Sequence, residues 1–229
     1  KDWWRALILY GNNMSTYKMG LGDLLISYAN KNKEKIPLRE LSEDFLDIYQ
    51  ERVDSGKHQK KRTLVKGEEK GLTVIETQLK KIKLGETTRE KAISIVQKDS
   101  LENMVLKKFH GVFHRQIPDP FYQVTKTHLI LQKHTLDTFT DNQNKPLNHE
   151  LDSRWKLLEF GFENTKKEES LEVDFKSELV IKKNKRTSIA QLRPILNGYQ
   201  RGNCFYCGLE LDDSIEVDHV IPWTAINHD

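Results

Sequence analysis

Apolar residues recur along most of the chain at helical spacing. Trp4, Leu7, Ile8 and Leu9 form a first group that ends at Gly11-Asn12-Asn13. A second segment opens at Ser15-Thr16-Tyr17-Lys18 and carries Leu21, Leu24, Leu25 and Tyr28. Leu38, Leu41, Phe45, Ile48 and Tyr49 share one face of a third, with Pro37 suited to its first turn. Residues 87 to 115 return to the same pattern: Thr87-Thr88-Arg89-Glu90 is a start signal, and Ile93, Val96, Leu101, Val105, Leu106, Phe109 and Phe113 supply core. Ile117-Pro118-Asp119-Pro120-Phe121-Tyr122 breaks it. Tyr122 to Leu131 reads as extended, with Leu129-Ile130-Leu131 able to open another helix. Leu151, Trp155, Leu158 and Phe162 place a helix over 147–162, and the alternation of Val173, Phe175, Leu179 and Ile181 predicts a strand over 172–182.

The composition then shifts. Lys182-Lys183-Asn184-Lys185-Arg186 is almost wholly basic, and Ser188 to Leu196 reads as a short helical lead-in to a cysteine pair. This predicts an α+β protein: a mainly helical positioning or regulatory region over 1–185, then a small separate module over 186–229.

Composition narrows the class. The chain has 229 residues, 37% apolar and 31% charged, with a formal net charge of +3. That balance suits a soluble protein and permits nucleic-acid binding without arguing for it, since a local patch matters more than the total. No run approaches the roughly 18 apolar residues needed to cross a bilayer, so no membrane partner is expected. The opening Lys1-Asp2-Trp3-Trp4-Arg5 is unlike a signal peptide, and the absence of Met at position 1 suggests a start further upstream. The 2 cysteines are too few for a disulfide scaffold, and their close spacing suits a metal knuckle in a reducing, cytoplasmic setting.

Cys204-Phe205-Tyr206-Cys207-Gly208 has the spacing of such a knuckle. Two thiolates can turn back onto one tetrahedral ion, and the glycine relieves the tight backbone. A structural zinc site normally takes four protein ligands, so the pair is half a site. A finger completed by His219 and His228 is disfavoured. Their separation exceeds the roughly three to five residues that fingers use, and Pro222 interrupts the helix that would carry both.

Asp218-His219 supplies the two groups that phosphodiester hydrolysis needs: a carboxylate for a divalent cation and an imidazole to deprotonate water. In an arbitrary protein, an adjacent Asp and His more often form a buried hydrogen-bonded pair. The cysteine pair upstream changes that balance. Together, Cys204-Phe205-Tyr206-Cys207-Gly208 and Val217-Asp218-His219-Val220-Ile221-Pro222-Trp223 resemble the first half of a zinc-braced motif of the HNH endonuclease family, whose fold is ββα-metal. The likeness extends through Leu192-Arg193-Pro194 and Asn197-Gly198-Tyr199-Gln200. More weakly it includes Leu9-Tyr10-Gly11, Thr16-Tyr17-Lys18 and Leu151-Asp152-Ser153-Arg154-Trp155, segments similar to bacterial proteins with a helical region ahead of an HNH module.

The resemblance implies that Asp218 ligates a catalytic Mg2+ or Mn2+ and that His219 is the general base. It also implies that Cys204 and Cys207 are half of a structural Zn2+ site. The family's central Asn, last metal ligand and second cysteine pair would follow Asp229, with Asn227 and His228 read as loop. This 229-residue form is therefore expected to lack a complete site and to be inactive alone, while a longer parent hydrolyses DNA. The family also implies bacterial restriction or anti-phage defence, with a possible partner subunit. The rival reading is a non-catalytic zinc-braced module that binds nucleic acid or protein.

Other features carry less. Lys182, Lys183, Lys185 and Arg186 adjoin the module and are candidate phosphate contacts. Lys57-His58-Gln59-Lys60-Lys61-Arg62 reads as a solvated loop, with a phosphate-contacting patch as the alternative. His110 and His114 sit four apart on an expected helix but lack the intervening Glu of a metal motif, so a surface or core-edge pair is expected. Trp3, Trp4 and Trp155 read as core.

Overall fold

The computed structural model describes residues 2–9, 13–65, 68–112, 115–140, 146–164, 170–174, 179–183, 192–212 and 217; of 64–65, 68–69, 164, 170–174 and 179–183 it describes the backbone alone. The architecture is mainly helical α+β, in two compact units, Lys1–Glu163 and Asn164–Asp229. The division therefore falls ahead of the boundary near 185 that composition suggested.

The first unit is built around α2 (Tyr17–Asn30), which is buried on nearly every side. A helix with apolar side chains on most of its circumference belongs inside a core. Helix α1 (Asp2–Leu9) adds Trp4, Leu7 and Ile8 to that core, and α3 (Leu38–Asp54) adds Leu38, Leu41, Phe45, Leu46 and Tyr49. Gly20 lets α3 come close: a Cβ there would lie 2.6 Å from Tyr49 Cε2 and 3.0 Å from Phe45 Cε2. Strand β1 (Lys35–Pro37) joins α2 to α3, and the hairpin of β2 (Thr63–Val65) and β3 (Glu68–Lys70) precedes α4 (Val74–Lys83). Helix α4 begins with a capping box. Thr73 accepts from the Glu76 backbone N–H, and the Glu76 carboxylate accepts from the Thr73 backbone N–H.

The start signal at Thr87-Thr88 marks α5 (Arg89–Ile95), whose N-cap is Thr88. The chain then loosens into a π-helix over Val96–Val105, followed by the short α6 (Leu106–Lys108). The helix expected to run to 115 stops here. Gly111–Val112 (β4) pairs with Arg115–Gln116 (β5), so His110 lies in a turn; Phe113 and His114 lie outside the described residues.

Strands β6 (Tyr122–Val124) and β7 (His128–Leu131) form an antiparallel sheet with β1 in the order β1-β7-β6. The expectation of a helix opening at Leu129-Ile130-Leu131 is corrected. These residues pair on both sides, with Leu129 opposite Ile36 and Val124, and the alternating burial of β7 is that of a half-buried strand. Helix α7 (Lys133–Thr140) starts only after it. Helix α8 (Pro146–Asn164) completes the unit and buries Leu147, Leu151 and Trp155.

The basic stretch 57–62 is also corrected, because two of its side chains are inside the protein. Gln59 is fully buried; its carbonyl oxygen accepts from Thr16 Oγ1 (2.6 Å) and Trp155 Nε1 (3.1 Å). Its amide nitrogen donates to Glu159 Oε1 (2.7 Å) and to the Lys57 carbonyl (3.2 Å), which uses every donor and acceptor of the side chain. Arg62 is buried against Glu76 at 2.5 Å, while Lys57 and Lys61 remain exposed. Trp4 and Trp155 are core as expected, whereas Trp3 is 46% exposed.

In the second unit, the single strand expected over 172–182 is a hairpin. Ser170–Asp174 (β8) pairs antiparallel with Leu179–Lys183 (β9), with Asp174 opposite Leu179; Phe175, expected in the strand, lies outside the described residues. Helix α9 (Arg193–Gln200) follows, with Pro194 in its first turn.

Candidate metal knuckle and nuclease motif

Helix α9 ends where its backbone turns left-handed. Arg201 has φ 55° and Gly202 φ 79°, and the Gly202 N–H donates to Asn197 Oδ1 at 3.0 Å. This C-terminal cap delivers the chain directly into the cysteine pair.

A compact set of hydrogen bonds closes the knuckle. The Cys204 N–H donates to the Leu209 carbonyl (2.7 Å), the Gly208 N–H to the Cys204 carbonyl (2.9 Å), and the Leu211 N–H to the Gly202 carbonyl (2.7 Å). Asn203 bridges to Glu210 through the backbone, and its Nδ2 donates to the Gly208 carbonyl at 2.9 Å. Gly208 sits at φ 71°, a conformation for which glycine is the natural residue. Arg193 reaches from α9 to the Asp212 carbonyl at 2.9 Å and ties the helix to the chain leaving the loop.

The loop also turns donors toward sulfur. The backbone N–H groups of Cys207 and Tyr206, together with the Cys207 thiol, bring the Cys204 pKa below the ordinary thiol value. Donors aimed at a sulfur favour its thiolate form, the form that ligates metal. Both cysteines are free thiols, Cys204 half-buried and Cys207 exposed. The loop and its donor set therefore fit one edge of a tetrahedral thiolate site.

Two of the expected ligands are thus brought together. Asp218 and His219 lie outside the described residues, as do Lys185, Arg186 and His228. Lys182 and Lys183 are on β9, described by its backbone. Among the described residues no group of three or more His, Cys, Asp or Glu side chains is placed to hold a metal ion. His110 is no exception. Its ring is buried between Phe121 and Tyr122, and Nε2 accepts the Phe121 backbone N–H at 3.0 Å. Burial, and then the nearby Lys18 charge, lower its pKa to about 4.

Sequence reading did not single out Asn203, whose side chain helps close the loop. Its position beside the first cysteine was the available signal, because Asn readily bonds local backbone. Phe205 and Tyr206, between the cysteines, are 72% and 75% exposed, and their rings meet edge-on at 5.4 Å.

No family model, no curated protein and no solved structure matches the chain. Among the described residues no helix is long and apolar enough to cross a membrane.

Proposed function

We propose that this chain belongs to a metal-dependent HNH endonuclease that hydrolyses DNA phosphodiester bonds. The observation that supports it best is the Cys204–Cys207 knuckle, closed by backbone hydrogen bonds and standing just ahead of Asp218-His219 in the sequence. Cys204 and Cys207 contribute half of a structural Zn2+ site. His219 takes the proton from the attacking water, and Asp218 offers its carboxylate to the catalytic cation. A bound Mg2+ or Mn2+ would neutralise charge developing on the scissile phosphate. Lys182, Lys183, Lys185 and Arg186 contact the flanking backbone. A place in bacterial restriction or anti-phage defence, in the cytoplasm and with a partner subunit, belongs to the same reading and rests on the family resemblance alone.

The test is cleavage of plasmid DNA by the protein expressed from its native gene, with and without Mg2+ or Mn2+. His219→Ala should reduce the rate by roughly 10²- to 10⁴-fold, the usual range for a lost general base, while folding and zinc content are retained. Undiminished cleavage by that variant excludes the base role. Zinc and DNA binding by the native protein without any cleavage favours the non-catalytic module instead.

A further inference from the structure

In the first unit, most arginines meet a carboxylate. Arg5 pairs with Glu150, Arg39 with Glu43 and Glu90, Arg52 with Asp152 and Glu159, Arg62 with Glu76, and Arg89 with Asp47. The cations of the elements that meet at Gly111 differ. Lys18 reaches across from α2 and donates to the Gly111 carbonyl at 2.8 Å. A Cβ at Gly111 would lie 3.3 Å from the Lys108 carbonyl and 4.0 Å from that of Arg115, so β4, β5 and the end of α6 are in contact here. The Gln116 amide nitrogen is 3.8 Å from the same point.

Lys107, Lys108, Arg115 and Gln116 are exposed, and Lys18 is half-buried. Among the described residues none of these four cations has a carboxylate within ion-pair distance. Burial lowers the Lys18 pKa with no opposing pull from a carboxylate, and the charge of Lys18 in turn disfavours a proton on His110. Like charges held together without counter-charges repel, and an anion relieves that repulsion. The groups offered are ammonium, guanidinium and amide donors, with the β5 side chains outward. Cationic donors of this kind suit phosphate oxygens along a backbone.

We propose that Lys18, Lys107, Lys108 and Arg115 form a sequence-independent binding surface on the helical unit for the phosphate backbone of duplex DNA. The choice of DNA rests on the nuclease reading above. The surface is separate in sequence from Lys182–Arg186 and gives the helical unit its own hold on the substrate.

The experiment is fluorescence anisotropy with a labelled duplex, over a salt series, without added Mg2+ or Mn2+. The native protein is compared with K107Q/K108Q/R115Q, with K18M, and with a charge-keeping K107R/K108R/R115K variant. The triple glutamine variant should flatten the slope of log affinity against log salt by about 2 to 3, at roughly 0.9 per lost phosphate contact. K18M should flatten it by about 1, and the charge-keeping variant should retain the native slope. Exposed Lys80 and Lys81 on α4 provide the control, and K80Q/K81Q should leave the slope unchanged. An unchanged slope in the triple glutamine variant, an equal flattening by the α4 control, or no duplex binding by the native protein overturns the proposal. Cleavage is scored separately. A native protein that binds with a steep, patch-dependent slope but never cuts refutes the nuclease reading and leaves the surface standing. One that cuts with a slope indifferent to the patch does the reverse.

Discussion

The two units are held together by different physics. In the first, a continuous apolar core runs from Trp4 to Trp155, through the aromatic contacts of Trp4 with Phe109, Phe121 and Phe139 and of Tyr49 with Phe45 and Trp155. In the second, Ile195 is the one buried apolar side chain among the described residues, while Phe205, Tyr206 and Leu209 face outward. What shapes the knuckle is a ring of backbone hydrogen bonds around two thiols. Around the knuckle, the metal proposed above would be the natural further source of stability. The helical unit needs no such help. On the zinc reading proposed above, metal and core packing should be separable levers in one chain.

The sharpest way to break that contrast is to remove the metal. Chelation, or Cys204→Ser, should abolish the thiolate-to-cobalt charge-transfer band of the Co2+-substituted protein. The main thermal transition, followed by far-UV circular dichroism, should not move. Structural zinc contributes on the order of 10 kcal/mol to small modules, so this is the largest effect expected. A main transition that falls along with the band would mean that the helical unit also depends on the metal.

The next effect comes from a buried charge pair within the helical unit. Glu76 is 2% exposed and accepts from Arg62, from the Gln59 backbone N–H and from Thr73. Glu76→Gln leaves Arg62 buried without its counter-charge and should cost about 3–5 kcal/mol in urea unfolding. Cobalt binding should be untouched. A cost below about 1 kcal/mol, the size typical of a surface pair, would show that the interior at Arg62 is wetter than its burial indicates.

The smallest effect is a pH dependence. The ordinary His value is 6.5 and burial brings His110 down to about 4. Between those values the unfolded chain binds a proton that the folded unit refuses, so stability rises with pH. It is complete above about pH 6.5 and falls by about 1.4 kcal/mol per unit as pH drops toward 4. Stability curves for the native protein and His110→Gln, which keeps an acceptor for the Phe121 N–H, should diverge across this window by roughly 3 kcal/mol in total. Parallel curves would remove His110 as the source.

Much of this was legible in the sequence because most elements obey one period. Leu38, Leu41, Phe45 and Tyr49 announce α3, and Thr88 announces the start of α5. The misses occur where the period fails. Between Val96 and Val105 the backbone is a π-helix; buried Val96 and Leu101 stand five apart, wider than α-helical spacing, and the pattern does not announce where the helix will end. Leu129-Ile130-Leu131 is too short an apolar run to separate strand from helix by pattern, and only its partners Ile36 and Val124 decide it. Gln59 and Arg62 look like loop residues because their partners Trp155, Glu159 and Glu76 are remote or lie beyond a hairpin. The knuckle was readable because Cys204 to Gly208 is local. The charge gathered at Gly111 was not, since it joins α2 to a hairpin far along the chain.

Gly20 gives α2 a further role, that of a gauge block. A single added methyl there would meet the buried rings of Tyr49 and Phe45, neither of which can swing aside within a closely packed interior. The width of one hydrogen atom thus sets the distance between two helices. Tyr49 also stacks toward Trp155, whose indole N–H is bound to Gln59, so a change in that spacing would propagate to α8 through rigid rings. A substitution at position 20 would be felt first as mechanical misalignment between α2 and α3.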